Sequence, residues 1–208
     1  QSLAAPLKYL RNLDEKEIEK EIKSIIKEVN LKEEFLNRFP HEFSGGQAQR
    51  IGIARVLLSK AKIIILDEPV SALDVSVQSQ ILNLLNDLQK KFELSYIVIS
   101  HDLAVIEAIC DRVMVMYFGD IVEKSDAKEL FKKPYHPYTN LLLKSIPKTN
   151  QKIEIQSLVE TELPDPINPP KGCSFYSRCE NKTEKCKDIN PSETVKENRK
   201  FKCFFPNN

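Results

Sequence analysis

The chain has 208 residues, 41% of them hydrophobic, which is enough for one domain of ordinary size and an appendage. Its 31 basic and 30 acidic residues leave a net charge of +1, so the composition gives no reason to expect nucleic acid or an anionic membrane as an electrostatic partner. No apolar run approaches the roughly 20 residues that a membrane-spanning helix needs. The chain begins at Gln1 and has no cleavable signal pattern, and we interpret it as a fragment of a longer protein.

The first 60 residues predict helices. Residues 14–29 place apolar side chains at helical spacing behind an acidic start at Asp14, which is typical of an amphipathic helix. A short helix is expected around residues 31–38. A third helix opens at Ser44, Gly45 and Gly46 and runs to about Ser59.

The next segment alternates strands and helices. "KIIILD" and "SYIVIS" lack polar alternation, which predicts strands that are buried on both faces of a parallel sheet. Helices are expected over residues 75–91 and 103–110, and "RVMVMYFGDIVEKS" predicts two strands around a turn at Gly119 and Asp120. This order predicts an α/β fold with its functional residues at the carboxyl ends of the strands.

The motif "FSGGQ" at the start of the third helix is suited to an anion. A helix N-terminus has unpaired N–H groups and a partial positive charge. Two glycines allow close approach of a phosphate, and Ser44 can cap the helix or donate to a phosphate oxygen. Taken alone, the motif is better explained as a plain capped turn than as an anion site.

Polar residues end both predicted strands. "IIILDE" brings Asp67 and Glu68 to a strand end, where Asp67 can hold Mg²⁺ and Glu68 can orient or deprotonate an attacking water. "SYIVISHD" places His101 at the end of the neighbouring strand, where an imidazole can reach a γ-phosphate. The alternative is a pair of surface carboxylates and a structural histidine.

Over residues 14–125 the chain resembles the nucleotide-binding subunits of ATP-binding cassette (ABC) transporters. The resemblance rests on four motifs in this order: "FSGGQ", "IIILDEP", "SALD" and "SHD". The resemblance implies that Ser44, Gly45, Gly46 and Gln47 contact ATP bound to the opposite subunit of a head-to-tail dimer. It also implies that Asp67 serves Mg²⁺, that Glu68 is the catalytic carboxylate and that His101 senses the γ-phosphate. Ser71 and Asp74 would lie at the dimer interface.

Two elements of the family are absent from these residues. The phosphate-binding loop G-x-x-x-x-G-K-[ST] does not occur, and neither does the family's glutamine loop. We therefore expect an N-terminal segment of roughly a hundred residues to lie outside this chain, and the chain to be inactive alone. The predicted fold is a partial P-loop NTPase core with a parallel sheet and a helical subdomain, followed by an irregular Cys-rich extension. Its parts are residues 1–60 with the signature motif, 61–125 with the carboxylates and His101, and 126–208.

The extension resembles the C-terminal region of the oligopeptide, dipeptide and nickel branch of these ATPases, through "HPYT" and four clustered cysteines. We interpret "HPYT" as structural, with a proline-defined helix start and no ligand role for His136. Four thiolates can hold zinc or a [4Fe–4S] cluster, and the resemblance favours the cluster over zinc and both over disulfides. The candidate ligands are Cys173, Cys179, Cys186 and Cys203.

The resemblance implies a peripheral ATPase subunit at the cytoplasmic face of the membrane that powers the import of oligopeptides or dipeptides. Its partners would be a second ATPase subunit, identical or paralogous, two transmembrane permease subunits and, indirectly, an extracytoplasmic peptide-binding protein. Two alternatives stay open. One is a nucleic-acid-processing ABC ATPase with a zinc site, which the neutral charge disfavours. The other is a non-enzymatic metal-binding interaction module.

Overall fold

The computed structural model describes residues 2–146, 165 and 167–207. The described residues divide into two compact units, the first ending at Ile109 and the second beginning at Cys110. The three-part division at residues 60 and 125 stays a prediction, and most of the proline-rich segment over residues 149–171 lies outside the described residues.

The first unit contains five α-helices and a two-stranded parallel sheet within the described residues. A short 3₁₀ turn at Glu33–Asn37 lies where the second helix is expected, and another follows at Pro40–Glu42. The elements of this unit are α1 (Ala4–Leu10), α2 (Glu15–Glu28), α3 (Gly45–Leu57), β1 (Ile63–Asp67), α4 (Val75–Phe92), β2 (Ser95–Ile99) and α5 (Leu103–Ile109).

Local chemistry explains where these helices begin. The Asp14 carboxylate accepts a hydrogen bond from the Glu17 N–H, and the Glu17 carboxylate accepts one from the Asp14 N–H, so α2 opens with a reciprocal cap. Ile25 and Ile26 of α2 are buried, as the helical spacing predicts. Asp74 caps α4, whose buried face carries Ile81, Leu84, Leu85 and Leu88. The core of the first unit therefore lies where the helices pack against one face of the sheet.

Strands β1 and β2 pair in parallel through the crossover helix α4, with Ile65 opposite Ile97 and Asp67 opposite Ile99. The expectation that both faces are buried is wrong for this structure. Ile63 and Ile65 are 64% and 66% exposed, and Ile97 and Ile99 are 50% and 51% exposed. The reason is that no element among the described residues of the first unit covers this face of the sheet.

The second unit contains an antiparallel sheet in the order β3-β4-β6-β5. The β3–β4 hairpin turns at Phe118 and Gly119, whose φ angles of 51° and 83° are those of a two-residue turn of the mirror-image type. This turn lies one residue earlier than predicted. The elements of this unit are β3 (Arg112–Tyr117), β4 (Asp120–Asp126), α6 (Ala127–Lys132), α7 (Pro137–Lys144), α8 (Glu184–Asp188), β5 (Thr194–Lys196) and β6 (Arg199–Phe201).

The C-terminal extension is more ordered than the sequence predicts. It contains a 3₁₀ turn at Tyr176–Arg178, helix α8 and the β5–β6 hairpin. Strand β6 pairs with β4, with Glu123 opposite Phe201. None of the helices within residues 2–146 and 167–207 combines the length and the apolar composition that crossing a bilayer requires.

Candidate functional site

The carboxyl ends of β1 and β2 bring Asp67, Glu68 and His101 together. The Glu68 N–H donates to the Ile99 carbonyl at 2.9 Å and so ties the residue after β1 to the end of β2. One carboxylate oxygen of Glu68 lies 2.7 Å from His101 Nδ1, and the His101 backbone N–H donates to the same oxygen at 3.2 Å. The predicted catalytic carboxylate and the predicted phosphate sensor are therefore hydrogen-bonded to each other.

This contact affects the ionisation of His101. The hydrogen bond and the negative charge of Glu68 raise the pKa of His101 above its usual value of 6.5. Glu68 also has a φ of 47°, in the left-handed region that a residue with a side chain rarely adopts. Such a conformation costs roughly 1 kcal/mol or more and tends to occur at functional sites. The backbone at Glu68 is thus held in place by its neighbours.

Asp67 ends β1 as an exposed residue. Among the described residues, no side chain forms a hydrogen bond or an ion pair with its carboxylate. A hard divalent cation prefers such oxygen ligands. The residue therefore has the chemistry to hold Mg²⁺ beside a phosphate.

The N-terminus of α3 forms the second part of the site. Ser44 Oγ accepts from the Gln47 N–H at 3.4 Å, and Gln47 Oε1 accepts from the Ser44 N–H at 3.1 Å. Within the described part of the chain, the Gly45 and Gly46 N–H groups have no hydrogen-bond acceptor. Helix termini leave such donors for an external partner, and an anion suits them.

The segment between Glu68 and α4 is fixed by local hydrogen bonds. Ser71 Oγ donates to the Glu68 carbonyl at 3.2 Å. Asp74 Oδ1 accepts from the Val77 N–H at 3.0 Å and from Ser76 Oγ at 2.8 Å. These donors hold the pKa of Asp74 below its usual value. Asp74 is thus occupied as a helix cap.

The predicted cysteine ligands are all free thiols. The Cys173 N–H donates to the Cys186 carbonyl at 2.8 Å. Burial raises the pKa of Cys173 and Cys179 and raises that of Cys203 to about 11, and neighbouring cysteines add to each shift. The four side chains are therefore neighbours.

Their positions do not form a metal site as they stand. Within the described residues, no group of three or more His, Cys, Asp or Glu side chains is arranged to hold a metal ion. The cysteines fit zinc or an iron–sulfur cluster in donor chemistry.

Sequence reasoning missed the buried polar residues that fix the "HPYT" segment. Glu123 of β4 is fully buried, and its two oxygens accept from the Tyr135 N–H at 2.8 Å and the His136 N–H at 2.9 Å. Arg199 of β6 donates to the Lys133 carbonyl. His136 caps α7 through Nδ1, which accepts from the Tyr138 N–H, as its structural interpretation predicts. The only sequence signal that could have revealed this network is a charged residue, Glu123, within a short strand.

Comparison with known proteins gives two family matches. Residues 3–71 match the ABC transporter family, and residues 122–186 match the family described as the oligopeptide/dipeptide transporter, C-terminal region. The second match includes the first three of the four clustered cysteines.

Several curated relatives align with nearly the whole chain. The dipeptide transport ATP-binding protein DppF of Haemophilus influenzae is 47% identical over 97% of this chain and 62% of its own length. The oligopeptide transport ATP-binding protein OppF of Escherichia coli is 47% identical over 91% of this chain and 58% of its own length. The chain thus spans about three fifths of the length of these relatives.

A solved structure supports the fold. CbiO1 from Clostridium perfringens, described as part of the ABC transporter complex cbiONQ, is 32% identical. It covers 62% of this chain and 51% of its own chain, with a TM-score of 0.57. These matches agree with the motifs and with the arrangement of β1, β2 and α3. The chain belongs to the family of ABC transporter ATP-binding subunits, in its oligopeptide/dipeptide branch.

Proposed function

We propose that this chain is the part of an ATP-hydrolysing subunit that energises the import of oligopeptides or dipeptides. The observation that carries the proposal is the Glu68–His101 pair beside the open Asp67 carboxylate, at the carboxyl ends of two parallel strands. In open α/β sheets this edge is where ligands bind. The peptide class is supported by the dipeptide and oligopeptide transport relatives.

The residues suggest a division of roles in phosphoryl transfer. Glu68 accepts a proton from a water whose oxygen attacks the γ-phosphorus, while the bond from that phosphorus to the bridging oxygen breaks and ADP leaves. Asp67 would hold Mg²⁺, which neutralises charge on the phosphate oxygens. His101 orients Glu68 through the hydrogen bond at Nδ1, and we propose that it also senses the γ-phosphate.

The α3 N-terminus is proposed to act on a different nucleotide. The loop G-x-x-x-x-G-K-[ST], whose backbone cradles phosphates, does not occur in the 208 residues. We propose that a site combines this loop from one subunit with Ser44–Gln47 of the other. Gly45 and Gly46 would then donate to the γ-phosphate of ATP that a second ATPase subunit holds.

The corresponding assembly has further partners. Two transmembrane permease subunits would carry the solute, and an extracytoplasmic peptide-binding protein would deliver it. The ATPase pair would sit peripherally at the cytoplasmic face of the membrane.

The test is an ATPase assay of the chain alone and of the intact transporter that contains it. We expect no turnover from the chain alone. We expect peptide-stimulated turnover from the transporter, reduced at least 100-fold by Glu68→Gln, because general-base catalysis contributes about 10²–10⁴ in rate. Turnover by the chain alone that Glu68→Gln abolishes would refute the composite site. Stimulation of the transporter by DNA, lost at high salt, would favour the nucleic-acid-processing alternative.

The four cysteines support a second proposal, a [4Fe–4S] cluster with zinc as the alternative. They are free thiols, and burial together with neighbouring cysteines raises the pKa of Cys203. Anaerobic purification and metal analysis test it. A brown protein with about four iron atoms supports the cluster, and one zinc per chain supports the alternative. Metal-free protein that keeps its stability under chelation contradicts both.

A further inference from the structure

The second glycine of "SGG" lies in close contact with helix α4. A Cβ built on Gly46 would lie 2.6 Å from Val77 Cγ1, a separation that real atoms do not tolerate. Gly46 is buried, so a methyl group there has no free direction in which to escape. The contact at Gly45 is milder, with Leu73 Cδ2 at 3.1 Å from the position of an added Cβ.

Val77 cannot easily give way. It lies in the first turn of α4, and a β-branched side chain in a helix keeps one strongly preferred χ1 rotamer. The start of α4 is itself anchored, because the Gln78 side chain donates to the carbonyls of Val70 and Leu73, each at 3.1 Å. An alanine at position 46 would therefore push the α3 N-terminus away from α4.

We propose that Val77 is a positioning residue for the signature end of α3. By contact with the bare Cα of Gly46 it fixes the Gly45 and Gly46 N–H donors relative to the segment that runs from Glu68 through Asp74 into α4. This inference rests on the proposed function, in which those donors meet a nucleotide held by a second subunit. On this inference, position 46 must be glycine because a larger side chain would clash with Val77, and not because the phosphate requires glycine there.

A set of variants separates these two reasons. Gly46→Ala introduces the clash, and Val77→Ala as a second change removes it. Val77→Thr is the matched control for the second change, because threonine keeps the branched shape. Gly52→Ala is the control for the first, since it lies in the same helix and nothing is within 4 Å of an added Cβ there.

Thermal unfolding of the chain tests the contact without reference to ATP. We expect Gly46→Ala to lower the midpoint by several degrees, whereas Gly52→Ala leaves it unchanged or raises it, because alanine is the better helix former. Adding Val77→Ala to Gly46→Ala restores most of the loss, and adding Val77→Thr does not. If Gly46→Ala alone fails to fold, recovery of a folded chain by Val77→Ala is the same result.

ATP hydrolysis by the intact transporter tests the positioning role. We expect Gly46→Ala to lower kcat roughly 10- to 100-fold, because a displacement of about 1 Å in a reacting constellation costs this much. The KM for ATP should change little, since the other subunit holds the nucleotide. Val77→Ala should restore kcat to within about threefold of wild type, and Val77→Thr should not.

The two assays distinguish the possible failures. If Val77→Ala restores stability but not kcat, glycine is needed by the phosphate, and the positioning inference is wrong while the proposed function stands. If it restores neither, the Gly46–Val77 contact is not the constraint, and the inference is also wrong. If the stability pattern appears and Gly46→Ala leaves kcat unchanged, the proposed role of the α3 N-terminus fails, and the positioning inference fails with it.

Discussion

At the scale of single residues, Glu68 combines a left-handed backbone with a hydrogen bond to His101. The sequence placed both residues at strand ends and assigned them separate roles. It could not show that one carboxylate oxygen receives both the ring nitrogen and the backbone N–H of His101, because this depends on the parallel register of β1 and β2.

The first prediction concerns the charge of His101. Its raised pKa means that the favourable contact with Glu68 is fully present below the usual value of 6.5 and weakens as the pH rises through the raised value. Glu68→Gln should return the pKa of His101 towards 6.5, as followed by NMR titration of the ring protons. Asp102→Asn is the control, and it should give a smaller decrease in the pKa of His101, because Asp102 acts only through its charge whereas Glu68 also forms a hydrogen bond with the ring. An unchanged pKa in Glu68→Gln would contradict the pairing.

The second prediction concerns His136, whose burial lowers its pKa to about 4. Between pH 6.5 and about 4 the unfolded chain binds a proton that the folded chain does not, so the free energy of unfolding decreases as the pH is lowered through this range. The loss is at most about 3.5 kcal/mol, at about 1.4 kcal/mol per pKa unit.

Urea unfolding of the chain at several pH values measures the slope of the free energy of unfolding against pH. His136→Gln should flatten it, and His41→Gln, which changes an exposed histidine, should not. The nearby Glu123 carboxylate is present in every variant, so the comparison isolates the imidazole. An equal slope in His136→Gln and wild type would show that His136 is not buried in its neutral form.

At the scale of elements, local patterns predicted most helices and strands. The caps at Asp14, Ser44 and Asp74 are where the sequence indicates helix starts. The features that the sequence did not predict depend on contacts between residues that are distant in the chain. The sequence could not show that the isoleucines of β1 and β2 have an uncovered face, that Gly46 meets Val77, or that the C-terminal β6 pairs with β4.

The third prediction separates capping from phosphate contact. Ser44→Ala and Asp14→Ala each remove a reciprocal cap, from α3 and α2 respectively. Each should lower the free energy of unfolding by about 1 kcal/mol. Only Ser44→Ala should also lower ATP hydrolysis by the intact transporter, because only Ser44 is proposed to donate to a phosphate. Equal activity of the two variants would leave Ser44 as a cap alone.

At the scale of the whole molecule, the predicted site residues fall into three groups. Asp67, Glu68 and His101 share the carboxyl end of β1 and β2, Ser44–Gln47 begin α3 beside α4, and the cysteines lie in the second unit. In the proposed function, the first group takes part in nucleotide hydrolysis and the second donates hydrogen bonds to a nucleotide. This division fits a subunit that shares its sites with a partner.

The most direct test of this account is the structure of the intact transporter, trapped with MgATP by Glu68→Gln. The account predicts that the Gly45 and Gly46 N–H groups lie within hydrogen-bonding distance, about 3 Å, of the γ-phosphate of ATP held by the other ATPase subunit. A closed complex in which both glycines lie far from any nucleotide, or contact only ATP held by their own subunit, would contradict it.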